Sequence, residues 1–198
     1  MVTLVMYAPV RRVDTSVPLY PIERYSEILR SKNERVRAEK YLVWKLLEKA
    51  VTDCFNLEFT NLQFTKTANG KWICPDFYFS LSHTDGLVCV AVSKCTVGID
   101  VEIVHDISDR VAGRILTDRE RKKMESAPIE ERNDFLLRAW VNKESIFKKR
   151  GDVALLPSTI ETEDAEATVE KVTVDGRPYI ISVCCNGNEI LYEYTEEI

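Results

Sequence analysis

Apolar and polar positions along the chain fall into two periods, one suited to strands and one to helices. Residues 2–10 form a dense apolar run that predicts a strand, and residues 25–55 recur at helical spacing with few breakers. Leu42, Leu46, Leu47 and Ala50 mark the apolar side of that helix. Short runs at 58–65, 72–74 and 77–83 then read as strands, with an Asn69-Gly70 turn before the second. Asp85-Gly86 suits a tight hairpin that returns the chain through 87–93 and on to a strand at 96–104.

The order then repeats. Helical sequence at 108–149, broken near Pro128, precedes strands at 167–174, 179–185 and 189–195, with Asp175-Gly176 and Asn186-Gly187 as turns. Strand, helices and antiparallel strands, twice over, predict an α+β protein of two similar halves, a pseudo-dimer with helices packed on a small antiparallel sheet in each. The halves are expected at 1–100 and 101–198, with the seam near 95–110. The repeat is architectural, since no identity between the halves is visible.

Composition narrows the class. At 198 residues with 45% apolar and 30% charged side chains, the chain is long enough to bury a core. No apolar run approaches the about 20 residues a spanning helix needs, and the opening residues lack a basic leader. The expectation is a cytoplasmic monomer with no membrane partner. Six cysteines without a C-x-x-C pair, and two histidines, give no zinc spacing and read as reduced, buried thiols. The net charge of −5 is unevenly spread: residues 110–150 hold twelve Lys/Arg against seven Asp/Glu, and residues 152–198 hold two against eleven. The basic half is therefore the one suited to an anionic partner.

Two elements carry candidate chemistry. In residues 96–104, Val97, Ile99, Val101 and Ile103 alternate with Thr96, Gly98, Asp100 and Glu102. A strand of period two puts both carboxylates on one face, about 7 Å apart along the chain. That pattern is consistent with a half-buried strand whose polar face is solvated. It also suits a divalent cation, because magnesium takes one or two carboxylates together with waters and substrate phosphates. The second element, residues 136–149, places Glu144 between Leu137 and Trp140 in helical projection, on the apolar side with Leu136 and Phe147. Lys148 at i+4 offers an ion pair worth only a few tenths of a kcal/mol. An inward carboxylate needs more than that, so a metal or a buried polar site is the favoured reading.

GIDVE at 98–102, followed by WVNKESIFK at 140–148, resembles the two motifs of the 4'-phosphopantetheinyl transferase superfamily, G-[IV]-D-x-E and W-x-x-K-E-[AS]-x-x-K. Ser82-His83, Gly70-Lys71, the basic stretch RAEKYLVWKLL at 37–47 and GDVALLP at 151–157 fall in the order of the longer, two-halved class, the type that activates surfactin synthetase. Two departures stand out: Trp72 follows the lysine where the family usually has proline, and Asp152-Val153 replaces a second glycine.

The resemblance implies transfer of the 4'-phosphopantetheine arm of coenzyme A to a serine of an acyl, peptidyl or polyketide carrier protein, with release of adenosine 3',5'-bisphosphate. It implies magnesium held by Asp100, Glu102 and Glu144, with Glu144 also the base for the serine hydroxyl. Lys148 and His83 complete the catalytic set, both also contacting phosphates, and Ser82 is the histidine's neighbour in the coenzyme site. Lys71 is implied at the nucleotide, and Arg35, Arg37 and Lys45 at its 3'-phosphate or adenine end. Asn142 receives no role, His105 is read as surface and Trp44 as core. The alternative is a module that binds coenzyme A or a carrier protein without catalysis. A metal-dependent nuclease is the weaker third reading, since nucleic acid would want a more continuous basic surface.

Overall fold

The computed structural model of the chain describes residues 2–163 and 165–198. In chain order its elements are β1 (Val2–Pro9), α1 (Ile22–Leu29), α2 (Glu34–Phe55), β2 (Thr65–Lys66), β3 (Trp72–Ile73), β4 (Tyr78–Thr84), β5 (Leu87–Ser93), β6 (Gly98–Ile103), α3 (Asp109–Ile115), α4 (Asp118–Ser126), α5 (Ile129–Arg150), β7 (Ala167–Val174), β8 (Arg177–Cys184) and β9 (Glu189–Tyr194). The expected α+β class holds. Helices pack on two sheets, ordered β4-β5-β1-β9 and β6-β8-β7, and β2 and β3 form a separate hairpin.

Local chemistry explains where the expected helices divide. The Asn33 side chain accepts from the backbone N–H groups of Arg35 and Val36, so residues 25–55 split into α1 and a newly capped α2. Thr117 and Glu120 form a reciprocal capping box that starts α4, a break additional to the one at Pro128, which precedes α5. Residues 58–65 were expected as a strand, but form a 3-10 turn at Phe59–Asn61 leading into β2. Phe59 and Leu62, three apart, are both buried in this turn, with the Phe59 ring 6.2 Å from that of Trp44.

β5 is buried along its whole length because both of its faces are covered. Val88, Val90 and Val92 meet the core beneath α1 and α2, where Trp44 is almost fully enclosed. Leu87, Cys89 and Ala91 point the other way, against Val97, Ile99 and Val101 of the second sheet and Tyr179, Ile181 and Val183 of β8. The period-two pattern read in residues 96–104 is thus realised, and its apolar half is the glue between the sheets. β9, expected among the second group of strands, instead joins the edge of the first sheet, parallel to β1 in register Val2↔Glu189. Ile190 and Tyr192 pack against the inter-sheet core from there, and Thr195 N–H donates to Tyr7 O. Alternation predicts a strand but names no neighbour.

α5 lies across β6 and β8. Its inner side includes a fully buried Lys143, whose ammonium donates to Glu120 and to Pro157 O at 2.9 Å. Glu120 is nearly as buried and also accepts from Thr117 N, Thr162 N and Thr162 Oγ1. This pair ties α4 and the 157–162 segment to α5. Removing one member strands the other charge, so Lys143→Met should cost about 3–5 kcal/mol in urea unfolding, and Lys143→Met combined with Glu120→Met should recover most of that. Equal losses in the single and double variants would count against this role.

Candidate active site

β6 brings Asp100 and Glu102 to a corner where β4 and α5 also meet. The junction of β4 with β6 is made partly by hydroxyls: Ser80 Oγ accepts from Ile99 N at 3.1 Å, and Ser82 Oγ accepts from Val101 N at 3.2 Å. Ser82 then donates to Asp100 Oδ1 at 2.9 Å and Thr84 to Glu102 Oε1 at 2.8 Å. Alternation on β4 puts all three hydroxyls on one side, so each carboxylate is aimed by its own hydroxyl. Asp100 is buried and Glu102 half-buried, so the polar face of β6 is covered rather than solvated.

The helix arrives through a glycine. A Cβ at Gly98 would lie 1.9 Å from Ser145 O and 2.5 Å from Lys149 N, a separation no side chain could occupy. This approach carries Glu144 and Lys148 to the open corner. Glu144, Lys148, Asp100, Glu102, Ser82, His83 and Trp140 line one cleft of about 350 Å³. Burial raises the Glu144 carboxyl above its ordinary range, and the neighbouring Asp100 and Glu102 charges push it the same way, while Lys148 opposes them. Lys148 does not pair with Glu144. Its ammonium lies 2.7 Å from Asp100 Oδ1 and 3.1 Å from Ser82 Oγ.

Among the described residues, no group of three His, Cys, Asp or Glu side chains is gathered closely enough to hold a metal ion. The donor set nonetheless suits a hard cation: three carboxylates open on one cleft, one of them destabilised in its charged form by burial and then by the other two. Lys148 Nζ, seated on Asp100, supplies the positive charge that the corner demands.

His83, near the end of β4, places Nδ1 3.1 Å from Glu39 Oε2 on α2. Burial and the charges of Lys148, Lys40 and Arg24 lower its pKa to about 4. Burial raises the Glu39 carboxyl and lowers the imidazole, so the ring is neutral at pH 7.

A second cleft, of about 340 Å³, adjoins the first through Leu81 and Lys148 and is lined by Lys71, Trp72, Phe79, Phe147 and Arg24. Lys71 Nζ donates to Lys148 O at 2.6 Å, and Asn69 Nδ2 to Gly151 O at 2.8 Å, so the β2–β3 hairpin grips the C-terminal end of α5. Burial, then Lys148, lowers the Lys71 pKa. The other expected coenzyme contacts lie elsewhere: Arg35 pairs with Asp85 at 3.1 Å, Arg37 Nε donates to Ser31 O at 3.2 Å, and Lys45 pairs with Glu48 at 2.6 Å. These three line neither cleft. Residues the motif reading passed over are those that hold α5 in place. Asn142 Oδ1 accepts from Ser182 Oγ at 2.7 Å, Ser145 Oγ lies 2.8 Å from the same hydroxyl, and Lys143 is buried below.

A family model described as the 4'-phosphopantetheinyl transferase superfamily matches residues 96–192, the stretch that holds β6, α5 and their motifs. Similar curated proteins are the 4'-phosphopantetheinyl transferase ffp of Bacillus subtilis, 28% identical over 132 residues covering 63% of this chain and 59% of the relative, and the 4'-phosphopantetheinyl transferase Sfp of Bacillus subtilis, 27% identical over 115 residues covering 57% and 51%. The 4'-phosphopantetheinyl transferase HetI of a Nostoc species is 29% identical over 147 residues, covering 64% and 62%. Over residues 96–192, just under half of its length, the chain is similar to this superfamily, and the Bacillus proteins are among the relatives it resembles. It spans about half the length of the curated relatives it matches.

Two outcomes test the geometry without substrate. Gly98→Ala should cost about 1–3 kcal/mol by overpacking, read as a lower urea midpoint; an unchanged midpoint would mean that α5 does not rest on this glycine. For Glu144, the folded pKa exceeds the unfolded one, so the folded state binds more protons and stability falls as pH rises between the two values. Glu144→Gln should therefore be more stable than wild type at pH 7 in metal-free buffer, the difference vanishing below about pH 4, where the carboxyl is neutral in both states.

Proposed function

We propose that this chain transfers the 4'-phosphopantetheine arm of coenzyme A to the serine of an apo acyl, peptidyl or polyketide carrier protein, with magnesium as cofactor. The observation that carries this reading is the convergence of Asp100, Glu102, Glu144 and Lys148 on one cleft, from a strand and a helix distant in sequence. The likeness to the family supplies the reaction class, and the two motifs fall on the residues that meet.

The two adjoining clefts fit the two ends of coenzyme A. The aromatic and cationic cleft of Lys71, Trp72, Phe79 and Phe147 suits the adenosine end, and Lys148, shared by both clefts, suits the diphosphate. Arg35, Arg37 and Lys45 lie outside both clefts in this arrangement and stand as weaker candidates for the 3'-phosphate. Asp100, Glu102 and Glu144 would hold magnesium, which when bound neutralises charge developing on the phosphoryl oxygens.

Glu144 accepts the proton of the serine hydroxyl as its oxygen attacks the β-phosphorus. The bond from that phosphorus to the oxygen bridging the two phosphates breaks, and adenosine 3',5'-bisphosphate leaves. Lys148 steadies the leaving phosphate by charge, and Ser82 keeps Lys148 and Asp100 in register. The Lys/Arg excess of residues 110–150 offers an acidic carrier its docking face. The two halves, 1–100 and 101–198, meet at this site.

Mass spectrometry of apo carrier proteins incubated with the chain, coenzyme A and magnesium should show the mass gain of one phosphopantetheine. Asp100→Ala and Glu144→Ala should abolish it while far-UV CD stays native, Lys148→Ala should lower kcat more than coenzyme A affinity, and His83→Ala should act mainly on affinity. No gain across a panel of carriers, with coenzyme A binding indifferent to magnesium, would instead favour a binding module.

A further inference from the structure

Glu39 is a buried carboxylate that neither motif contains. Its side chain is 5% exposed, on the face of α2 turned toward β4, and burying a carboxylate is costly unless its oxygens are occupied. The occupation is incomplete. Oε1 lies 3.4 Å from Arg35 Nε without a hydrogen bond, and that guanidinium is 61% exposed and already bonded to Asp85 through Nη1. The close partner is His83, with Nδ1 3.1 Å from Oε2.

The ring nitrogens of a histidine are distinguished by what one of them bonds. A carboxylate accepts only, so a hydrogen bond across this 3.1 Å contact requires the proton on Nδ1 and leaves Nε2 bare. The His83 ring lines the cleft of Asp100, Glu102 and Glu144. Charged groups bear on this ring from every side: Glu39 and Lys40 from α2, Arg24 from α1, Lys148 from α5, and the β6 carboxylates across the cleft. Glu39 is the anion in direct contact with it.

We propose that Glu39 is the positioning residue of His83, fixing the ring as the Nδ1–H form and balancing the charge it acquires when Nε2 takes a proton to donate to an anionic phosphate in the cleft. The charge balance rests on the function proposed above, whereas the tautomer does not. Arg35 then acts through Glu39: it belongs to a chain His83–Glu39–Arg35–Asp85–Arg177, with Arg177 Nη2 2.8 Å from Asp85, that joins the cleft wall to the start of β8.

The chain has two histidines, so imidazole 15N NMR resolves them, with His105→Gln to assign the pair. In the free wild type, His83 should show the Nδ1–H form, and saturating coenzyme A should convert it to imidazolium. Glu39→Gln should lose the single tautomer and raise KM for coenzyme A by about tenfold, the effect of one charge-assisted hydrogen bond, with kcat at saturation within about threefold of wild type. Glu39→Asp keeps the charge and should restore part of both; it serves as the measured variant if Glu39→Gln does not fold. An Nε2–H ring in the wild type, or a ring signature unmoved in the variants, overturns the assignment of Glu39. A changed ring with unchanged KM overturns its link to the coenzyme. Wild type that binds no coenzyme A overturns the proposed function instead, leaving the ring signature to decide the role of Glu39.

Discussion

The contact on which the cleft depends is the approach of α5 to β6 at Gly98, where helix and strand backbones come closer than any Cβ would permit. With Ser145 and Lys149 pressed over this glycine, the residues one step earlier, Glu144 and Lys148, sit at the helix flank beside Asp100. The helix segment thus divides its labour by residue. Asn142, Lys143 and Ser145 turn inward to β8, to Glu120 and to Ser182, fixing rotation and depth, and Glu144 and Lys148 are left to face the cleft. A site on rigid elements keeps its geometry when charge in it changes, and this corner concentrates three carboxylates and an ammonium.

The second constraint lies between β4 and β6. Hydroxyls of Ser80, Ser82 and Thr84 take the place of part of the contact between the two strands, satisfying backbone N–H groups of β6 and orienting its carboxylates in the same stroke. Ser82 accepts from Val101 N and from Lys148 Nζ and donates to Asp100, so its oxygen links three elements. The corner stays open where the side chains stand between the strands, and the cleft forms there.

Much of this was legible in the sequence because period-two and period-3.6 patterns are strong in the elements that matter. The alternation of residues 96–104 placed Asp100 and Glu102 together, and the helical projection of residues 136–149 turned Glu144 inward. Other features were invisible for physical reasons. The break between α1 and α2 depends on one Asn33 side chain, and the turn at Phe59–Asn61 on its packing beneath Trp44. The pairing of β9 with β1 is a choice of neighbour that no local pattern encodes. Arg35 and Lys45 were expected at the coenzyme through the resemblance of the basic stretch, and here they pair with Asp85 and Glu48 outside both clefts. Glu39 carried a signal after all, a carboxylate on a largely apolar helix face, of the kind that singled out Glu144.

In the proposed reaction, Asp100, Glu102 and Glu144 together bind a divalent ion in the presence of the coenzyme's diphosphate. A Mn2+ titration followed by loss of the free-ion EPR signal, with coenzyme A present, tests it most directly. The wild type should show a protein-bound site that weakens by about tenfold or more in Asp100→Asn and in Glu144→Gln. Equal Mn2+ affinity in all three proteins would contradict it.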